Sequence, residues 1–166
     1  PLIRLSTTSK DKSVYGVLNL NGTNDKYLTN SVGEGAMWVC NMNGEIENGD
    51  YITSSTLAGY GMKQDEEMLF NYTVAKSLMD CSFEEEIISE YHPSSELDIH
   101  GKKIWKKNEM KQKLKYKIRY LLKKDEAIDE TGNNIVEITR DEYDNKKNNG
   151  NTNVFIGALI PCTYHC

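Results

Sequence analysis

The chain reads as mainly β: a small barrel or sandwich of short antiparallel strands with one short helix near residues 140–147. Three observations carry that reading. Between Gly33 and Lys76, short apolar runs are joined by glycine-bearing turns at intervals of about 8–12 residues, the spacing of sandwiches and barrels. No helical periodicity interrupts those runs, which argues against a parallel sheet with crossover helices. Ten tyrosines against three phenylalanines fit strands whose rings are half buried and whose hydroxyls reach water. With 166 residues, the chain predicts a single β-rich domain, 1–166, with a polar insertion at about 80–112. That length can bury a sizeable core.

Taken in order, Leu2–Ser6 reads as a first short strand and Thr7–Ser13 as a polar turn. Val14–Leu18 is a second strand, in which Gly16 marks a bulge or a close backbone approach. Asn19–Asn30 is a loop, and its Asn21-Gly22 pair is a hairpin-type turn signal. Gly35–Met42 is a strong strand, and its run Ala36–Cys40 suits burial on both faces. Gly44 and Gly49-Asp50 turn the chain on either side of Glu45–Glu47, and Tyr51–Ser54 follows as a strand. The Asp50 carboxylate is placed to accept backbone N–H groups of its own turn. Gly59 and Gly61 bracket Tyr60 in a loop expected to need unusual backbone angles. Met62–Gln64 is a short strand, and Asn71–Met79 alternates as another.

From Asp80 to Glu109 the pattern fails: Pro93, serines and mixed charges predict an excursion. Leu114, Tyr116, Ile118, Tyr120 and Leu122 then alternate with mostly basic residues, which predicts one long strand over 113–122. Thr131–Asn134 is a turn and Ile135–Ile138 a return strand. Thr139-Arg140-Asp141-Glu142 is a capping box opening a helix through Lys147. Val154–Ile160 is a last buried strand, expected to close at Pro161.

Charge is unevenly spread. The net value is −5, yet residues 102–124 hold ten lysines and Arg119 against Glu109 alone, leaving nine basic and twenty-four acidic residues elsewhere. Lys102, Lys103, Lys106, Lys107, Lys115, Lys117 and Arg119 are therefore candidate anion-binding residues. The alternative is a solvated face beside the acidic segment Asp80–Glu90, and nucleic acid is not an expected partner because no nucleic-acid module accompanies the lysines. No apolar run approaches the roughly 20 residues that cross a bilayer as a helix. Pro1–Arg4 lacks the basic and apolar regions of a signal peptide, and the missing methionine fits a processed chain or an excised fragment.

A search for chemistry finds no nucleophile elbow, P-loop, dinucleotide fingerprint, HExxH or CxxC. A Ser–Lys dyad from Ser9-Lys10 or Lys12-Ser13 would place adjacent turn residues pointing apart. The runs Asp65–Glu67 and Glu84–Glu86 read as solvated surface. Cys162, His165 and Cys166 are the only candidate metal ligands, weak without a second cluster. His92 and His100 stand alone, and Cys40 and Cys81 read as buried thiols. The sequons Asn21–Thr23 and Asn71–Thr73 matter only in a secretory pathway. No catalytic residue and no cofactor is expected.

The segment Asn43–Ser55 (NGEIENGDYITSS), followed by Ala58–Lys63 (AGYGMK) and Thr73–Lys76 (TVAK), resembles a pattern in the C-terminal regions of phage tail-spike and neck-appendage proteins and of fibre-like proteins of giant viruses. Ser9–Val17 (SKDKSVYGV) is similar to the strand preceding that pattern, and Phe155–Cys166 to the end of the giant-virus versions. The resemblance spans about residues 3–79 and 113–166. It implies a β-rich domain next to a trimeric fibre, acting as an intramolecular chaperone that registers three chains. Its partners would be two further copies and the upstream fibre domains of its own polypeptide, on a virion or extracellular surface. The acidic-aromatic autoproteolytic segment and the serine-protease dyad of such proteins have no counterpart here, so no catalytic residue carries over. The expected function is thus a non-enzymatic assembly or attachment module. The alternatives are an autoprocessing peptidase fragment that begins at its own cleavage site, Pro1, and a module binding an anionic partner through 102–124.

Overall fold

A computed structural model describes residues 3–19, 28–92, 95–105 and 109–166. The Asn21-Gly22 turn and its sequon, Pro93, Lys106 and Lys107 lie outside the described residues. The strands are β1 (Val17–Asn19), β2 (Leu28–Asn30), β3 (Val32–Cys40), β4 (Tyr51–Ser54), β5 (Gly61–Lys63), β6 (Thr73–Ser77), β7 (Ile87–His92), β8 (Ser95–Leu97), β9 (Lys103–Trp105), β10 (Glu109–Leu114), β11 (Lys117–Lys123), β12 (Ile135–Ile138) and β13 (Val154–His165). One helix, α1, spans Arg140–Asn148. The chain divides into two compact units, Pro1–Glu84 with Lys117–Cys166, and Glu85–Tyr116.

The first unit holds a closed five-stranded barrel in the order β13-β3-β5-β4-β6, with β6 pairing back onto β13. The fold is mainly β with one short helix, as the sequence predicts. β11 and β12 extend the sheet outward from β13. Closure depends on β13 changing neighbours along one edge. Its first half pairs with β11, from Leu122↔Val154 to Lys117↔Leu159, and its second half with β6, from Cys162↔Ser77 to Tyr164↔Ala75. The other edge stays on β3 from Gly157↔Cys40 to His165↔Val32.

Pro161 sits at the changeover and does not end the strand, contrary to the sequence reading. The physical reason lies in strand geometry. A residue's N–H and C=O point to the same side of a strand, and the Pro161 carbonyl accepts from the Leu78 N–H at 3.0 Å. Its missing donor therefore faces the gap between the last β11 pair and the first β6 pair, and the ladder to β3 loses nothing.

Register places Ala158, Ile160, Cys162 and Tyr164 on one face of β13, opposite Val39, Met37, Gly35 and Gly33 of β3. Ala75 lies opposite both Tyr164 and Ile52. This inner face is packed: Val39, Ile52, Ala75, Ala158, Ile160 and Cys162 are fully buried. The Tyr164 ring crosses Gly35, where a Cβ would collide with the ring and its hydroxyl, and the hydroxyl donates to the Ala36 carbonyl at 2.8 Å. A barrel this small is filled by side chains.

A second core covers the outer face of the same sheet. Cys40, Leu57, Ala58, Met62, Leu121 and Ile135 cluster there, joined by the partly buried Leu5, Met42, Tyr60 and Phe155. The buried Asn134 amide ties its lid, accepting from the Ala58 N–H at 3.0 Å and donating to the Thr56 carbonyl at 2.9 Å. Leu5 reaches the cluster on an N-terminal strap and not on the predicted strand. The strap's bonds go to a turn and to the end of β4: Leu5 N–H to the Thr131 carbonyl (2.7 Å), and Asp11 N–H to Ser54 Oγ (2.8 Å), which itself donates to the Thr8 carbonyl (2.7 Å). With no adjacent strand to pair, residues 3–6 have no ladder.

Thr139 caps α1, its Oγ1 accepting from the Glu142 N–H at 3.2 Å, and Tyr143 packs its ring on Tyr120 at 5.2 Å. The predicted strand over 113–122 is two strands. β10 pairs only with β7, whereas β11 pairs with β12 and β13. The chain changes partners at Lys115-Tyr116, so an unbroken alternation in sequence does not make an unbroken strand.

The second unit, the ribbon, holds two antiparallel two-stranded ladders. β7 and β10 pair antiparallel from Ile87↔Leu114 to His92↔Glu109, and β8 and β9 pair from Ser95↔Trp105 to Leu97↔Lys103. Asp98 shapes the turn at its end, Oδ1 accepting from the N–H groups of His100 and Lys102, both at 2.8 Å.

Gly61 is held by packing and not by dihedral freedom, which corrects its sequence reading; Gly59 alone of that pair has a positive φ, +77°. A Cβ on Gly61 would lie 2.6 Å from Ile52 Cγ2 and 2.8 Å from Met37 Cε, inside the barrel. Gly61→Ala is expected to destabilise the fold by about 1–3 kcal/mol through overpacking. A urea midpoint equal to that of the parent chain would contradict this account.

Candidate functional site

The proposed metal ligands do not converge. Cys162 lies on the inner face of β13, and burial pushes its thiol up to about 11. His165 lies on the opposite face, its ring 3.2 Å from Thr163 Oγ1 and edge-on to Tyr51. Cys166 follows the strand, its N–H donating to the Ser31 carbonyl at 3.0 Å. Among the described residues no three His, Cys, Asp or Glu side chains group as a metal site.

The basic candidates divide between the two units. Lys102, Lys103 and Lys115 belong to the ribbon, where Lys102 and Lys103 are exposed and Lys115 Nζ pairs with Glu86 Oε2 at 3.2 Å. Lys117 opens β11 and is exposed. Arg119 is engaged structurally. Its guanidinium lies 3.9 Å from the Trp38 ring centroid, hydrogen-bonds the Tyr60 hydroxyl and sits 4.0 Å from Glu137. Gly157 admits this arrangement, because a Cβ there would come within 2.7 Å of the Tyr60 ring.

The turn residues act locally. Gly44 and Gly49 have φ values of +89° and +96°, and Asp50 Oδ2 accepts from the Glu47 N–H at 2.8 Å while pairing with Lys63 at 3.3 Å. Neither Ser–Lys pair forms a dyad. Ser13 Oγ donates to Asp11 Oδ1, and Lys10 Nζ bonds Glu66 Oε1 at 2.5 Å, which raises the lysine pKa and keeps it charged. An open pocket of about 350 Å³ lies beside the end of α1, and Lys147 is the one titratable side chain among its lining residues.

The most distinctive surface is the loop from β5 to β6. Gln64, almost wholly buried, acts as its template. Its Nε2 donates to the carbonyls of Glu66 (3.0 Å) and Met68 (2.8 Å), and its Oε1 accepts from Thr73 Oγ1 at 2.6 Å. Thr73 Oγ1 in turn accepts from the Phe70 N–H at 3.0 Å, and the Thr73 N–H donates to the Phe70 carbonyl at 3.1 Å. Phe70 stacks on Tyr72 with centroids 5.2 Å apart. The backbone so fixed holds Met68 and Leu69 outward, 67% and 58% exposed, above Asp65, Glu66 and Glu67. The sequence reading passed over this finger. Its signal is three acidic residues followed directly by three large apolar ones with no partner in the local alternation.

Comparison with family models, with curated proteins and with solved structures finds no match to this chain. The resemblance to fibre-protein C-terminal regions therefore stands on the residues that carry it.

Two outcomes follow from these environments. Partial burial raises the Cys166 thiol as well, so alkylation is slow near neutrality, but in mildly alkaline solution a reagent should still modify the exposed Cys166 first. Cys40, Cys81 and Cys162, all buried, should react only on unfolding. Equal modification of all four in the native chain would contradict the packing described.

The strap should be acid-sensitive. Asp11 is held below the usual carboxylate range by the hydroxyls of Ser13 and Ser6, Asp129 by Thr131, and Glu66 by Lys10. A depressed folded pKa contributes stability above the unfolded value, about 4, and loses it as pH falls through the lower folded one. The urea midpoint should therefore fall as the pH drops below about 4, and fall less in the Asp11→Asn, Glu66→Gln double variant. Parallel pH profiles for the two chains would refute the assignment.

Proposed function

We propose that this chain is a non-enzymatic assembly module whose working surfaces lie outside its barrel. One observation carries the reading: the placement of large apolar side chains. The barrel interior is filled, while Met68 and Leu69 on the finger and Ile87, Leu97, Ile99, Ile104 and Leu114 on the ribbon are largely exposed. Large exposed apolar side chains, where they group into patches, mark interaction sites. A two-stranded ribbon is at best marginally stable by itself, so a partner that covers it stabilises it as well.

The fibre-protein resemblance adds a setting. The module would sit at the C-terminal end of a fibre-like or attachment polypeptide, registering copies of the chain as an intramolecular chaperone does, with three as the number of copies. The anionic-partner reading is less well supported, since Lys115 and Arg119 are engaged with Glu86, Trp38 and Tyr60.

Native mass spectrometry and sedimentation velocity across a hundredfold concentration range test the reading. The expected result is a discrete homo-oligomer, a trimer by the resemblance. A monomer at every concentration would remove the basis for assembly.

A further inference from the structure

We infer that β3 carries a strand-accepting edge: over Val32–Ala36 it takes up an extended segment of a partner polypeptide that places a basic residue opposite Glu34. The grounds are backbone groups and one charge, so the edge acts whether or not copies of the chain assemble.

Register defines the edge. β13 pairs with one side of β3 along its whole length, from Gly157↔Cys40 to His165↔Val32. The other side meets β5 at a single pair, Val39↔Gly61. Among the described residues, no strand pairs with that side between Val32 and Met37. Val32–Ala36 are exposed in unbroken succession, although they lie inside a barrel strand.

The backbone groups on that side follow from the same register. Pro161 turns its carbonyl to Leu78, away from β3, so Pro161↔Ala36 is a pair without hydrogen bonds between β13 and β3. The N–H and C=O of Ala36 therefore point away from β13, and alternation gives Glu34 and Val32 the same direction. The Cys166 N–H, donating to the Ser31 carbonyl at 3.0 Å, sets the same alternation from the far end. Gly33, at φ +103°, bends the start of the edge, so Glu34 and Ala36 form its regular part. The Ala36 carbonyl accepts from the Tyr164 hydroxyl at 2.8 Å, a side chain standing in for a strand donor. Donors and acceptors repeating at every second residue are the complement of another extended chain.

Glu34 selects the occupant. A second copy offers the same edge, and antiparallel two-fold pairing within the open length sets Glu34 against Glu34. Like charges directly opposite destabilise a sheet. Moving the two-fold axis to Ala36 brings in Trp38, where β5 already closes the edge. Among the described residues no cation pairs with Glu34. A foreign strand with lysine or arginine opposite it supplies the missing sign, and the residues flanking that cation face Gly33 and Gly35, which present no side chain.

The test uses the full chain and a capped heptapeptide of alternating threonine and valine with lysine at its centre, read by amide NMR. Saturable shifts should centre on Glu34 and Ala36, whose amides should exchange more slowly with solvent. The same peptide N-methylated at the lysine and at the residues two before and two after it should not bind, because its donors on one edge are gone. A glutamate-centred peptide should bind the parent chain about threefold more weakly, and Glu34→Lys should reverse that preference. Glu34 is exposed, so the urea midpoint of Glu34→Lys should stay at the parental value. No saturable shift at millimolar peptide, shifts centred elsewhere, or equal binding of the N-methylated peptide would overturn the inference. Peptide preference indifferent to Glu34→Lys would overturn the choice of occupant. Shifts of the same amides that grow with protein concentration alone would make a second copy the occupant and overturn it too.

Discussion

Barrel closure rests on β13 serving two sheet neighbours on one edge. A five-stranded sheet closes only when some strand is long enough, and tilted enough, to meet both ends of the ribbon of strands. β13 does this by leaving β11 after Leu159 and taking up β6 at Cys162, while its other edge stays on β3. The switch leaves one backbone position without a neighbour to donate to, and the residue there is the one that has no N–H, Pro161. Every other feature of the first unit takes its place from that strand. The inner core forms on its even-numbered face, the outer cluster reaches it at Phe155 and Gly157, and α1 follows β12 to pack Tyr143 against Tyr120, two strands from β3.

Small barrels fill their interiors, and this one does so with steric precision that falls on glycines. Gly35 yields its side-chain space to Tyr164, Gly61 to Ile52 and Met37, and Gly157 to Tyr60 and Leu121. Each is a site of close approach on an extended backbone, and none of the three has a positive φ. Glycine's role here is absence of volume. Polar groups caught in this packing are satisfied locally, Tyr164 by a backbone carbonyl and Asn134 by both a donor and an acceptor in the 56–58 lid.

Much of this was legible in sequence where local signals and tertiary structure agree. Tyr51–Ser54 and Ile135–Ile138 are strands at the residues read, and Thr139 caps the helix it was assigned. Legibility fails where tertiary pairing overrides a local rule. Pro161 reads as a terminator because the side of the strand its nitrogen faces is not encoded nearby. Leu114–Leu122 reads as one strand because alternation does not record a change of partner. Leu2–Ser6 alternates like a strand, yet residues 3–6 bond to turns and side chains. Of the surfaces, the basic segment was visible as composition, but Arg119's engagement with Trp38, Tyr60 and Glu137 depends on register across β3, β11 and β12. The finger escaped notice because its organiser, Gln64, belongs to no periodic pattern. A buried glutamine announces itself only through its partners.

The contrast between interior and exterior bears directly on what such a scaffold can do. The barrel interior is filled, and its rigidity holds surface elements in position. The finger illustrates how that is done. Its two anchors, Gln64 and Thr73, lie at the end of β5 and the start of β6, and both strands flank β4 in the closed sheet. Opening the loop would require breaking bonds among side chains buried against the barrel, so its apolar tip cannot fold inward to escape water. Exposure of Met68 and Leu69 is therefore enforced by the same packing that closes the barrel. A surface that the fold holds apolar leaves water when it is covered, and under the assembly proposal that is the physical link from a glycine-tight core to the finger.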